Sequence, residues 1–420
     1  MKTKLHLLMV LLWVCSFTQA QETTVNLSMA ASYANQVYYK LNTQTETTYA
    51  ANSWDISMLR TDNFAFSLRI NDHIGVEVFE ASNKPNDWNS IDIANEASWT
   101  KLYNSDIKWN EGAFDKGSAT YGWGEYNIAT HHVEGTIIFV LKYADGTYRK
   151  FINDDYFGGH TFRYSTWNSG TSTWSADQTA TVSNTTNPNN SRNYYSFENN
   201  TEVIAEPATT DWDLKFTKYY TEVPNGSGGT QPYLTTGVLV NSGLEVAEND
   251  EPGGMPANPN LTYATNINTI GYDWKTFDFS SGWLIDSNKA FYVKYADNTI
   301  YRLYFTAFSG SGTGDLTFKF EDVTASLDIE DITESISFGV FPNPSPNKQI
   351  NLVYDVNKWG SDKNKIAIFS TTGQKVFETS LKSNSGLFNK TLDFSALKSG
   401  VYILQFSSGN HHTSKKLVLN

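Results

Sequence analysis

Thr136-Ile137-Ile138-Phe139-Val140-Leu141-Lys142-Tyr143, then Ala144-Asp145-Gly146, then Thr147-Tyr148-Arg149-Lys150-Phe151-Ile152 reads as two strands joined by a tight turn. Both arms are rich in β-branched and aromatic residues, which suit a pleated, half-buried surface. Asp145-Gly146 supplies the positive φ angles that a short hairpin turn needs. A second hairpin of the same make follows at Phe291-Tyr292-Val293-Lys294-Tyr295, Asp297-Asn298 and Ile300-Tyr301-Arg302-Leu303-Tyr304-Phe305. There Asn298 tolerates the left-handed conformation that Gly146 provides in the first.

The two hairpins belong to a longer repetition. Tyr38-Tyr39 pairs with Tyr194-Tyr195, and Trp54-Asp55-Ile56 with Trp212-Asp213-Leu214. Gly75-Val76-Glu77-Val78 pairs with Gly243-Leu244-Glu245-Val246, Trp109 with Trp274, and Lys142-Tyr143-Ala144-Asp145 with Lys294-Tyr295-Ala296-Asp297. The order is kept while the spacings drift, so the reading is a duplication with insertions. A period this long means two domains rather than a solenoid. The polar stretch Asn184 to Ser191 contains Pro188 and no apolar anchor, which places a boundary there. The expected domains are 21–186 and 187–330, with the acidic run Asp328 to Glu334 leading to a third at 335–420.

Composition agrees with an extracellular all-β chain. Tyr, Phe and Trp are abundant, charged residues make up only 18% of the chain, and no long heptad pattern appears. The formal net charge of −13 repels phosphate backbones and anionic lipid surfaces, so nucleic acid is not an expected partner. Lys2 and Lys4, the apolar run Leu7 to Val14 and Thr18-Gln19-Ala20 form a signal peptide at 1–20. The apolar run is too short to span a bilayer, and no transmembrane segment is expected elsewhere. Val14 stands where a lipoprotein signal before Cys15 would want a small residue. Cleavage after Ala20 removes Cys15, leaving neither disulfide nor reactive thiol.

The end of the chain carries an ordered set of motifs. Phe341-Pro342-Asn343-Pro344-Ser345 opens it, Thr372-Gly373-Gln374-Lys375-Val376 sits midway, and Gly400-Val401-Tyr402 leads to Lys415-Lys416-Leu417-Val418. The set resembles the type A C-terminal sorting domain of type IX secretion cargo in Bacteroidetes. The resemblance implies a small Ig-like β-sandwich, export across the outer membrane, the type IX machinery as partner, and a secreted or cell-surface location. It implies an address, not an activity.

The middle of the chain is similar to HmuY-like proteins of Bacteroidetes. The likeness rests on Trp212-Asp213-Leu214-Lys215-Phe216, Gly237-Val238-Leu239-Val240, Lys294-Tyr295-Ala296-Asp297, and Trp123-Gly124-Glu125-Tyr126-Asn127 through Phe151. It implies two all-β domains and capture of haem at the cell surface between two axial histidines or methionines. One ligand loop of the family precedes the Asp-Gly hairpin, where this chain has His131 and His132. The other comes from an earlier loop, where the second copy has Met255 and the first has neither residue type. Neither copy therefore carries a complete pair. His160, after Gly158-Gly159, is a further imidazole that would serve if the hairpin folded back. Solvated loop histidines are the alternative for all three.

Tyr164, Trp167 and Trp174 lie in a Ser/Thr/Gly-rich stretch and would stack on a sugar ring or porphyrin, or pack on their own sheet. His73 reads as a turn residue. Glu248 to Glu251 lacks the spacing of a calcium loop and reads as solvated surface. No Gly-x-Ser-x-Gly elbow, His-Glu-x-x-His helix or phosphate loop occurs. Paired carboxylates for glycoside hydrolysis are defined in space rather than by spacing, so they stay open. The expectation is a non-enzymatic binding protein that takes haem or, alternatively, a glycan or adhesive partner, with no metal beyond haem iron.

Overall fold

The computed structural model describes residues 22–61, 66–327, 336–356, 364–382, 386–408 and 411–420. The signal peptide, Cys15 and the acidic run 328–334 lie outside them. The chain forms two compact units that divide at residues 324 and 325. Both are built from antiparallel strands.

The larger unit has two lobes. In the first, one sheet has the spatial order Thr23–Ser28, Asp315–Asp322, Ile300–Phe308, Lys289–Lys294, Glu245–Asp250. A second sheet runs Thr230–Val240, Leu214–Pro224, Asn35–Lys40, Thr45–Ala50. Their apolar faces share one core that includes Val25, Val37, Tyr39, Phe216, Phe291 and Phe318. Each such buried side chain contributes about 1.5–3 kcal/mol of transfer free energy. In the other lobe the order is Gln178–Ser183, Gly159–Asn168, Tyr148–Tyr156, Ile138–Lys142, Glu77–Ser82, Thr100–Leu102. Its second sheet runs Leu68–Ile70, Ile56–Leu59, Arg192–Ser196, Thr201–Val203. Ile56, Phe114, Phe139, Phe151, Phe162 and Tyr195 lie in its core.

The second lobe is continuous in sequence, from about Trp54 to Val203, and is inserted into the first, which is split between residues 23–50 and 214–322. This differs from the expected boundary at 186/187, which falls inside the inserted lobe. Gln178–Ser183 and Arg192–Ser196, on either side of it, both extend sheets made from residues 56–168. The polar stretch between them is held by protein groups. The Arg60 guanidinium donates to the carbonyls of Asn184, Pro188 and Asn190 at 3.1, 3.1 and 2.8 Å.

The paired landmarks occupy matching places in the two lobes. The amide of Asp213 donates to Tyr39 O at 2.8 Å, and that of Asp55 to Tyr195 O at 2.9 Å. Asn241 Nδ2 donates to the carbonyls of Thr209 and Trp212, as Asn71 Nδ2 does to those of Ala51 and Trp54. The Tyr295 hydroxyl donates to Asp213 and the Tyr143 hydroxyl to Asp55. Gly146 and Asn298 take φ of 86° and 68° in the two hairpin turns. One pairing is corrected: the residue that matches Trp274 is Trp123, not Trp109. Trp123 and Trp274 each follow a positive-φ glycine, precede a short hairpin and are fully buried. Trp109 instead donates its indole N–H to Val240 O of the split lobe at 2.8 Å.

The smaller unit packs the sheet Ile336–Phe341, Gln349–Val356, Gly386–Asp393 against Lys375–Ser380, Lys365–Ser370, Gly400–Ser408, His411–Leu419. Ile350, Leu352, Ile366, Leu404, Phe406 and Leu417 fill the space between them. Gly373, in the midway motif, takes φ 85° in a turn that no β-carbon favours.

Candidate functional site

The lobes meet across a polar layer with an aromatic wall. Register places Lys215 beside Tyr38 on neighbouring strands. Its ammonium sits 5.1 Å from the Tyr38 ring centroid and 5.8 Å from those of Trp54 and Trp109. Lys215 is only 5% exposed, and burial pushes its pKa down to about 7. Arg192, also buried, is held by Ser57 Oγ and by the carbonyls of Ser57, Ser67 and Trp109. Glu206 accepts from Ser191 Oγ, the Arg192 amide and the Tyr194 hydroxyl. Desolvation raises its pKa above the ordinary carboxylate value.

Tyr38, Trp109, Lys215 and Glu206 border a cavity of about 380 Å³. Tyr38, Trp212 and Lys215 come from the split lobe, Trp109 and Tyr194 from the inserted one, and Glu206 from the segment that joins them. The Trp109 and Trp212 rings stand edge to face, 6.0 Å apart. The volume lies in the range of small-molecule pockets, about 300–1,000 Å³, and boundaries between domains are where such pockets concentrate. The sequence reading missed this site. One signal for it existed: Lys215 directly follows a landmark, at the position where the first copy has Ser57.

The expected haem residues are dispersed. His131 stands at φ 62° at the tip of the hairpin Gly124–Asn127 and His132–Gly135, with Nδ1 2.7 Å from the Tyr126 hydroxyl. His132 Nδ1 lies 2.8 and 2.9 Å from the Asp155 carboxylate oxygens, and its ring stacks on Phe157 at 4.5 Å. Both imidazoles thus keep Nε2 without a protein partner among the described residues. The exposed Ile128 shares the tip. In the matching hairpin of the split lobe, Ser281 and Gly282 stand where these histidines are.

His160 is fully buried in the strand Gly159–Asn168, against Trp123 and Tyr156. Its Nδ1 meets Asn153 Oδ1 at 3.2 Å, and Nε2 has no hydrogen-bond partner among the described residues. Burial, with Arg192 adding, lowers its pKa to about 3. Met255 lies in the split lobe, partly exposed. The structure therefore does not gather His131, His132, His160 and Met255 into one site. Among the described residues no cluster of three His, Cys, Asp or Glu has the makings of a metal site.

Other expectations resolve as follows. Tyr164 is buried, and Trp174 donates to Ile91 O at 2.7 Å with Trp167 packed on its edge, so these aromatics serve their own lobe. His73 is buried and joins the lobes, with Nδ1 accepting from the Lys218 amide and Nε2 donating to Tyr33 O. Glu251, expected at the surface, is buried and bound by Arg302 and the Tyr292 hydroxyl.

Residues 339–420 match the family described as the secretion system C-terminal sorting domain. They are a sorting domain. The sorting domain marks the chain for type IX export, to the cell surface or beyond it. No described helix is long and apolar enough to cross a membrane. No curated protein matches the chain. Among solved structures, the crystal structure of apo PinO from Porphyromonas gingivitis is similar over 72% of this chain and 98% of that one, at 10% identity and a TM-score of 0.20. A likeness so slight assigns nothing to the region ahead of the sorting domain.

Proposed function

We propose that the chain is an exported, non-enzymatic binding protein that holds a small ligand in the cavity between its lobes. The observation that carries this reading is the cavity itself, walled by Tyr38, Trp109 and Trp212 and floored by polar side chains of both lobes. Aromatic faces with a few fixed polar groups suit a sugar ring or another flat, polar molecule. The repeated Tyr-Tyr and Trp-Asp landmarks support a duplicated binding module whose two copies build one site. Tryptophan fluorescence would report occupancy. Neutral monosaccharides and small aromatic amides should perturb it saturably, and Trp109→Ala should weaken binding about tenfold or more, as loss of an aromatic anchor does. Equal binding by Trp109→Ala and wild type would place the ligand elsewhere.

A second reading is haem capture on the inserted lobe, as the HmuY resemblance implies. The observation in its favour is His132, whose Nδ1 is engaged by Asp155 so that Nε2 points outward. A carboxylate on the far nitrogen is the usual support for a metal-ligating imidazole. Haemin should then give a Soret shift that His131→Ala with His132→Ala abolishes in the full chain. No Soret change in either redox state would end that reading.

A further inference from the structure

Seven Lys and Arg side chains are buried in the described structure: Arg69, Arg149, Lys150, Arg192, Lys215, Lys275 and Arg302. Six have acceptors. Arg69 binds three carbonyls, Lys150 the Trp88 carbonyl, and Lys275 those of Thr236 and Tyr272. Arg149 and Arg302 pair with carboxylates, and Arg192 is held as described above. Lys215 alone makes no hydrogen bond and no ion pair with any described residue. The side chain is almost wholly buried, yet its ammonium meets no described protein acceptor and borders the cavity, so what satisfies it must come from there.

Glu206 makes no hydrogen bond to Lys215: its oxygens accept from Ser191, Arg192 and Tyr194, while its charge acts on the ammonium from a distance. The three aromatic rings around the ammonium offer π faces and no acceptor geometry for all three N–H bonds. A second, smaller cavity of about 30 Å³ also borders Lys215, with room for about one water, which would occupy one N–H. The larger cavity must supply the rest.

We propose that the cavity selects a ring bearing a carboxylate, with Lys215 as the group that receives it. This rests on the cavity being the ligand site. The carboxylate accepts from the Lys215 ammonium while the ring lies along Tyr38, Trp109 and Trp212. Burial weakens the hold of Lys215 on its proton, and an anionic acceptor restores it, so binding takes up part of a proton near neutral pH. A uronic acid and an aromatic acid both present this chemistry.

The test uses matched pairs on the full chain, followed by tryptophan fluorescence and calorimetry: glucuronate against glucose, and 4-hydroxybenzoate against 4-hydroxybenzamide. In at least one pair the acid should bind about tenfold or more tighter than its neutral partner, the usual margin of a charge-assisted bond. The pair that does so identifies the source of the carboxylate. In Lys215→Met the acid should bind no better than its neutral partner, and a margin that survives the substitution overturns the inference. Equal affinity within both pairs on wild type overturns the inference and leaves the cavity reading intact. No saturable binding of any of the four overturns both.

Discussion

Asp213 accepts the Leu41 amide at 2.8 Å and the Lys40 ammonium at 2.7 Å, and so ties the two pieces of the split lobe together. Those residues are 172 and 173 positions away in sequence. The Tyr295 hydroxyl completes the shell of the buried carboxylate. Asp55 does the same in the inserted lobe, accepting the Phe197 amide at 2.6 Å and the Tyr143 hydroxyl. Removing a buried, multiply bound carboxylate leaves its donors unpaired, at a cost of about 3–5 kcal/mol. Asp213→Ala should therefore loosen residues 23–50 from the split lobe. Urea unfolding should show the loss, and limited digestion should release an N-terminal fragment cut between residues 41 and 54. An unchanged midpoint would mean that the core, rather than this junction, holds the segment.

Arg60 leads to a second expectation. Its guanidinium satisfies three carbonyls of the 184–191 stretch, which also carries the Thr209 amide on Asn189 O. Proteases cut where backbone is exposed and unpaired. Wild type should resist cleavage at 184–191 despite its polar composition. Arg60→Ala should open it and lower stability by about 1–3 kcal/mol. Rapid cutting of wild type at this stretch would contradict the packing.

This loop illustrates what sequence conveys and what it does not. The hairpins were legible because Asp145-Gly146 and Asp297-Asn298 carry a local backbone requirement. The landmark pairs were legible because each lobe has the same Tyr–Asp junction. Which segment completes which lobe was not, since similar local patterns serve either connection. Polarity at 184–191 gave no hint of Arg60, which arrives from more than a hundred residues away. His160 was readable in part: His160, Phe162 and Tyr164 alternate on one strand face, and all three are buried. Lys215 alternates with the core residues Leu214 and Phe216, and the face it takes is buried against the inserted lobe rather than solvated.

The sorting domain should be needed for export and not for the fold ahead of it. It forms its own core from Phe338 to Leu419, apart from the clusters of the larger unit. A chain lacking residues 339–420 should stay in the periplasm, seen by fractionation, and should show the same near-ultraviolet spectrum as the intact protein. Surface display of the shortened chain would mean that another segment carries the address.

Acid should act on the larger unit through two opposed pairs. Burial holds His160 and His73 down to about 3 from 6.5. Between those values the unfolded chain takes up protons that the folded one refuses, so their contribution to stability is lost as pH falls from about 6.5 toward 3. Asp72 and Asp115 are pushed up by burial to about 6 from 3.8, and they bind protons in the fold first. Their contribution therefore grows as pH falls from about 6 to 4. Substitution separates the pairs. His160→Gln removes a group that weakens the fold in acid, so its urea midpoint should fall less than that of wild type between about pH 7 and about pH 4.5. Asp115→Asn removes a group that strengthens it, so its midpoint should fall more. Tryptophan fluorescence reads both transitions, since Trp123 lies against His160. Parallel pH profiles for His160→Gln and wild type would show that this imidazole titrates in the fold at its ordinary value and is not sealed from solvent.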